Sequence, residues 1–415
     1  MIFSLNTALF FALKMQQHKQ YKSTVSAQIT KIATLAVAIG ITAILIAVST
    51  SKGLQSEIRK KTSIFNGHIV VTLFENNESQ VSLLPIQDVK EIRTLFQSNK
   101  KISNFHAFAT VAGMLKSDEN FEGILFKGVS AEVKNTLLDD FLIEGTFPDY
   151  TQPNNEGILV SSVHARRLNL KVGDRVNAFF QSESNPENPR RRRFTVEGIY
   201  ASGFPDIDEN LVYGSLNQVQ GLKGWASDEI GGYEIYISEK ETIEAIADHL
   251  YDELPSVLDS RSIASRYTSI YQWISLFDFN VLVILVVMLL VGIINMATAL
   301  LVLILERSRM VGLLKALGAE HRTIQTIFLY NGALILLRGL AWGNLLGIGF
   351  FLTQKYWGWI QLNPENYFVD RAPVVLSFWD VLSVNLFFLV VSLLLLWIPS
   401  RIILRISPTK VLRLR

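Results

Sequence analysis

Four stretches of this chain are apolar for long enough to cross a bilayer, and about 220 residues of quite different patterning separate the first two. A spanning helix needs about 20 mostly apolar residues. The windows 32–51, 274–305, 324–352 and 379–398 meet that requirement. Trp273, Trp357, Trp359, Trp379 and Trp397 stand near their ends, where an amphipathic ring sits at the level of the headgroups. The first window begins past residue 30 and leads into Lys52 and Gly53 without a small-residue cleavage pattern. It therefore reads as a retained anchor and not as a cleavable signal.

Basic residues orient these windows. Lys14, Lys19, Lys22 and Lys31 precede the first without an acid among them; Arg307, Arg309, Lys315 and Arg322 fill the turn after the second; Arg401, Arg405, Lys410, Arg413 and Arg415 follow the fourth. The segment 353–378 holds only Lys355 and Arg371. The positive-inside rule then places both termini and the 306–323 turn in the cytoplasm, and the long insert outside. Residues 1–31 open with an amphipathic helical pattern (Leu5, Leu9, Phe10, Leu13) expected to lie at the cytoplasmic interface before a polar linker.

The insert, 52–273, changes period. Short β-branched or alternating runs such as GHIVVTLF, FEGILFKGV, EGILVSS, RVNAFF, RFTVEGIY and YEIYIS are separated by Gly, Asn, Pro and Asp clusters, with helical patterns at 85–98 and 239–253. The expected fold class is an integral membrane α-helical protein of four transmembrane helices, with a large extracytoplasmic α+β domain between helices 1 and 2. Within that domain QSESNPENPRRRR, 181–193, reads as a projecting loop carrying Pro186, Pro189 and Arg190, Arg191, Arg192 and Arg193. Two readings of it stand: a solvated hairpin tip, or a docking loop for an acidic or lipid-bearing partner.

Several chemistries find no residues here. The chain has no cysteine, which excludes disulfides, thiol catalysis and thiolate metal sites. No GxxxxGK[ST], HExxH or GxSxG occurs, and the six histidines lack ligand spacing, so no catalytic residue, metal site or bound cofactor is expected. A net charge of +2 gives no sign of a nucleic-acid partner.

The turn ERSRMVGLLKALGA, 306–319, is too short to span. Met310, Leu313, Leu314 and Leu317 fall at i, i+3, i+4 and i+7 as one apolar stripe, with Arg307, Arg309 and Lys315 away from it and Gly318 as the stop. It reads either as a surface helix covering a tight turn or as a lever offered to a cytoplasmic machine. Arg338 lies at the centre of the third window, where an arginine is costly unless it meets protein or water. Either it hydrogen-bonds Asn295, Asn385 or a carbonyl near Gly339, Gly343 and Gly347, or it meets a lipid headgroup in a wet cavity. Lys52 is expected to snorkel to the headgroups.

ERSRMVGLLKALGAEHRTIQTIFLYNGALI resembles the coupling helix and following span of the MacB, FtsX and LolC/LolE superfamily of ABC transporter permeases. ATLAVAIGITAILIAVSTSKGLQSEI resembles that family's first span; GILVSSVHARRLNLKVGDRV, NYFVDRAPVVLSFWDV and IPSRIILRISPTKVLRLR are similar to the lipoprotein-releasing LolC/LolE branch. The resemblance implies a bacterial inner-membrane permease that binds no cofactor itself, pairs with a second permease of the same or a homologous chain, and is driven by a LolD-like ATPase using ATP and Mg. It would extract triacylated lipoproteins and pass them to a LolA-like periplasmic carrier. A MacB-like efflux stroke and an FtsX-like regulator of a cell-wall hydrolase are the alternatives. On this resemblance Glu306, Arg307, Arg309, Leu313, Leu314, Lys315, Leu317 and Gly318 meet the ATPase; Met310 stands where the family carries an acid. The loop 181–193 takes the place of a carrier-binding hook. Ile46, Val48, Phe277 and Phe279 are the expected acyl contacts between the outer halves of the first two spans.

Overall fold

The computed structural model describes residue 10 and residues 25–77, 79–118, 120–133, 139–151, 155–181, 189–238, 243–363, 369 and 371–401. Apart from the exposed Phe10, the expected N-terminal amphipathic helix lies outside the described residues, as does the basic tail beyond Arg401. The chain divides into two compact units, one of residues 1–56, 274–361 and 371–415, the other of 57–273 and 362–370.

In chain order the helices are α1 (Val25–Asn66), α2 (Lys90–Ser98), α3 (Ser162–Leu168), α4 (Pro205–Asp208), α5 (Leu216–Lys223), α6 (Ile243–Glu253), α7 (Ile263–Arg266), α8 (Thr268–Glu306), α9 (Ser308–Ala316), α10 (His321–Trp357) and α11 (Phe378–Ser400). α1, α8, α10 and α11 are long and apolar enough to cross a membrane. At 42 residues α1 is about 63 Å long, roughly twice the thickness of a hydrocarbon core.

In the first unit the four spans share an apolar core that includes Val37, Ile41, Leu45, Leu289, Met296, Leu336 and Phe388. In lipid no water-driven attraction holds helices together, so close backbone approach and polar ties carry the packing. α10 presents Gly339, Gly343 and Gly347, one per turn, to α1. A Cβ at Gly343 would stand 2.7 Å from Ile41 Cβ and 2.8 Å from the Ala38 carbonyl. Thr42 Oγ1 crosses the seam to donate to the Gly343 carbonyl at 3.2 Å. α10 and α11 are joined by two polar ties: Asn344 and Asn385 exchange amide bonds of 2.7 and 2.8 Å, and Gln325 Nε2 donates to Ser400 Oγ at 2.7 Å. Lys52 does not simply snorkel. Its ammonium pairs with Asp380 at 2.5 Å, where Asp380 also closes the capping box at the start of α11.

The second unit is an α+β domain with strands β1 (Ile69–Leu73), β2 (Ile86–Gln87), β3 (Ile102–Lys116), β4 (Phe121–Val129), β5 (Leu142–Gly145), β6 (Gly157–Ser161), β7 (Arg175–Phe180), β8 (Arg190–Tyr200), β9 (Leu211–Ser215), β10 (Glu229–Ile230), β11 (Gly232–Ile237) and β12 (Leu258–Ser262). The large sheet runs β12-β1-β11-β3-β4-β9-β6-β8-β5, and β7 pairs with both β3 and β8. That second pairing closes β3, β4, β9, β6, β8 and β7 into a ring, so these strands lose their free edges. Phe126 stacks on Phe194 at 5.1 Å, and Phe180 meets both rings edge-on within the same apolar core. β2, β3, β5, β9, β10 and β12 are absent from the expected strand set, and β2 takes the start of the stretch 85–98 expected as helix. Six consecutive buried residues in β3 erase the alternation that marks a half-exposed strand.

The end of α1 enters this domain and leaves carbonyls without helical partners. Strand side chains satisfy them: Lys127 Nζ (2.7 Å) and Tyr213 OH (3.2 Å) donate to the Phe65 carbonyl, and Tyr236 OH donates to that of Ile64 at 3.1 Å. The Lys127 cation also complements the negative end of the helix dipole. Glu234 Oε1 lies 2.6 Å from Lys127 Nζ, and His106 Nε2 lies 3.1 Å from Glu234 Oε2, all three side chains being buried.

Candidate functional site

The turn between α8 and α10 is built by local rules. Arg307 leaves helical geometry (φ −96°, ψ 16°) and lets α9 restart at Ser308. Gly318, at φ +86°, ends it; the Leu317 and Gly318 amides donate to the carbonyls of Leu313 and Lys315, and Ala319 N–H to Leu314. A left-handed residue closing a helix in this way is most often glycine.

The apolar stripe expected along one face is divided in two. Val311 and Gly312 are buried, and Val311 packs with Leu300, Leu303, Ile304, Ile324, Ile327 and Phe328, while Met310 and Leu314 are partly buried on the same cluster. Leu313 and Leu317 are 55% and 76% exposed. Burying Val311 turns the inward arc away from them, because α8 and α10 meet the short helix on its Met310, Val311 and Leu314 side. The outward face therefore carries Arg309, Leu313, Ala316 and Leu317, at i, i+4, i+7 and i+8, with exposed Glu306 beside it. Lys315 and Arg307 are half-buried, and the buried Arg307 Nε has no hydrogen-bond partner among the described residues. Two exposed leucines beside an arginine form the kind of amphipathic face that seats in a groove on another protein.

Arg190 to Arg193 are not loop. They begin β8 and pair antiparallel with β7, Arg190 opposite Phe180 and Arg193 opposite Asn177. Charge suggested a solvated tip, and Arg191, Arg192 and Arg193 are indeed exposed, but they stand on a paired strand and not in a loop. The Arg190 guanidinium donates to the carbonyls of Gly221 (3.0 Å) and Leu222 (2.6 Å) in the last turn of α5, and Arg191 to Asn177 Oδ1 at 3.0 Å. Pro189 is exposed; Pro186 lies outside the described residues.

Of the expected acyl contacts, Val48 lies in the core of the spans, Ile46 and Phe277 are half-buried, and Phe279 is 61% exposed. Arg338 does not bond Asn295 or Asn385. Asn295 donates to the Val291 carbonyl of its own helix at 2.8 Å, and Asn385 is engaged by Asn344. Among the described residues Arg338 makes no hydrogen bond or ion pair. It is exposed with Leu337, Ala341 and Trp342, because Gly339 and Gly343 turn the opposite side of α10 to the core. Sequence reasoning missed Asn344, although an asparagine inside an apolar window was there to be noticed. The Lys127, Glu234 and His106 group carried no local signal.

Two family models match the chain: MacB-like periplasmic core domain over residues 30–251, and FtsX-like permease C-terminal over residues 282–408. The lipoprotein-releasing system transmembrane protein LolE of Haemophilus influenzae is 23% identical over 422 residues, covering 98% of this chain and 99% of its own. The corresponding LolC protein of Neisseria meningitidis serogroup B is 22% identical over 401 residues, covering 93% and 94%. Among solved structures, the extracellular domain of the noncanonic ABC-type transporter YknZ from Gram-positive bacteria covers 47% of this chain and 99% of its own at 14% identity, with a TM-score of 0.32. The periplasmic region of MacB from Actinobacillus actinomycetemcomitans covers 49% and 91% at 14% identity, with a TM-score of 0.34.

Proposed function

Because the chain belongs to the permeases that carry a MacB-like periplasmic core domain and an FtsX-like C-terminal region, we propose that it is the membrane subunit of a lipoprotein-releasing ABC transporter. It extracts acylated lipoproteins from the inner membrane for a soluble carrier, and a separate ATPase chain supplies the work. The observation that carries this reading is similarity to LolE over 98% of this chain and 99% of the relative.

Physical chemistry makes such a machine necessary. Each methylene withdrawn from lipid costs about 0.8 kcal/mol, so a protein held by several acyl chains leaves a bilayer very slowly unless energy is supplied and an apolar receiver waits. The basic turn faces the cytoplasm by the positive-inside rule, and its Arg309, Leu313 and Leu317 face meets the ATPase. The α+β domain then lies outside, where a LolA-like carrier docks, and a second permease subunit completes the assembly.

The test uses the full chain with its co-expressed ATPase in proteoliposomes, and measures ATP-dependent transfer of a triacylated lipoprotein to a soluble carrier. Leu313→Asp removes an outward side chain without touching the cluster around Val311, so it should abolish transfer while the protein stays folded. Leu314→Asp is a poorer probe, since Leu314 packs inward. ATP hydrolysis without lipoprotein release would overturn the cargo and bring forward efflux or control of a cell-wall hydrolase.

A further inference from the structure

The α+β domain contains a cavity of about 430 Å³ whose lining includes Lys127, Glu234, Arg266, Asp206, Asn66 and Tyr267. That volume suits a small ligand or the polar end of a larger one. Lys127 and Glu234 neutralise each other across 2.6 Å, with His106 on the far carboxylate oxygen. Two charges on the wall remain. The half-buried Arg266 guanidinium and the exposed Asp206 carboxylate make no hydrogen bond or ion pair among the described residues, with each other or with anything else.

Opposite charges lining one cavity would gain by pairing, and these two are held apart on different elements, Asp206 on α4 and Arg266 on α7. Burial raises the phenol of Tyr267, on the same wall, above its ordinary value; the Arg266 charge opposes that rise, and the Glu234 and Asp206 charges add to it. The Tyr267 hydroxyl is committed to Asn66 Oδ1 at 3.1 Å, so it bridges neither Arg266 nor Asp206. A guanidinium that is partly desolvated and unpaired favours a planar or tetrahedral anion that it can grip with two donors.

The geometry points to a site for a zwitterion in this cavity: a carboxylate or phosphodiester on Arg266 and an ammonium toward Asp206, as in an amino acid or a phosphoethanolamine headgroup. Arg266 supplies affinity for any such anion, because it is the deeper of the two charges. Asp206 supplies selection for the ammonium. The inference stands on the domain alone and does not depend on what the spans transport.

The experiment uses the full chain in detergent and follows 31P line broadening of glycerophosphoethanolamine, with glycerophosphoglycerol as the phosphodiester probe lacking an ammonium. Glycerophosphoethanolamine should broaden saturably and bind more tightly than glycerophosphoglycerol. Arg266→Gln should weaken both at least tenfold; Asp206→Asn should weaken only the zwitterion and erase the preference. Thermal melts show whether either variant remains folded, and an Arg266→Lys variant should restore part of the affinity. No saturable broadening, or broadening unchanged in Arg266→Gln, would overturn the site; equal loss of both probes in a folded Asp206→Asn would overturn the zwitterion. Repeating the titration in nanodiscs separates the sources. Phosphatidylethanolamine discs that block the added probe, where phosphatidylglycerol discs do not, identify a lipid headgroup as the occupant, and equal binding in both identifies a free molecule.

Discussion

Lys127 Nζ stands 2.6 Å from Glu234 Oε1, with both side chains 4% exposed, and the same ammonium holds the Phe65 carbonyl at the end of α1. Removing one partner of such a pair leaves an uncompensated buried charge, which costs about 3–5 kcal/mol, whereas replacing both by apolar groups is often neutral. Lys127→Met and Glu234→Leu are each expected to lower the chemical-denaturation midpoint of the full chain sharply. The double variant should recover most of that loss, apart from the bond to Phe65. Additive loss in the double variant would show that the two charges act independently.

Burial pushes the Glu234 carboxyl up, but the facing Lys127 charge and the bonds from His106 and Lys127 outweigh it and hold it below the usual carboxylate range. A carboxyl depressed on folding binds fewer protons in the folded state, so its contribution is complete above about pH 4.3 and disappears as pH falls through the lower folded value. Thermal melts of the parent and Glu234→Gln should differ most at neutral pH and converge only as the pH falls below the ordinary carboxylate range. A gap that widens on acidification would reverse the sign.

The glycine seam between α1 and α10 invites a controlled comparison. Gly343→Val places side-chain carbons within 3 Å of Ile41 and the Ala38 carbonyl, while a Cβ added at Gly349 would meet nothing within 4 Å. Overpacking of this kind costs about 1–3 kcal/mol or more. Gly343→Val should collapse the yield of folded protein in detergent, and Gly349→Val should leave it unchanged.

Arg338 gives a prediction of opposite sign. An arginine at mid-span costs about 2.5–3.5 kcal/mol on membrane insertion, and this one has no hydrogen bond or ion pair among the described residues to offset it. Arg338→Leu should therefore insert and fold at least as well as the parent by size-exclusion yield. If lipoprotein transfer then falls while yield holds, the guanidinium acts on a headgroup or on the second permease subunit; a collapse in yield would assign it a packing role.

The parts legible in the sequence are those governed by local physics. The four spans announce themselves by length and apolarity, and Gly318 by the need for a left-handed stop. What depends on neighbours was hidden. Periodicity placed Met310, Leu313, Leu314 and Leu317 on one stripe, but only the positions of Leu303 and Phe328 decide that Val311 is the residue turned inward. Four arginines in a row read as solvated loop because charge is local information, while the pairing of β8 with β7 is not. Lys127, Glu234 and His106 come from β4, β11 and β3, and no spacing in the chain foretells that these strands bring them together.

Contact between backbones has a mechanical meaning. Where Gly339, Gly343 and Gly347 lie against Val37, Ile41 and Leu45, α10 offers no side chain that could change rotamer and absorb a displacement. The joint is therefore stiff, and the two helices have the compliance of one thicker rod. Val311 packs on Ile324 and Phe328 of that same α10, so a displacement of the short helix would load this joint directly, and these elements would possess fewer independent degrees of freedom than their number suggests.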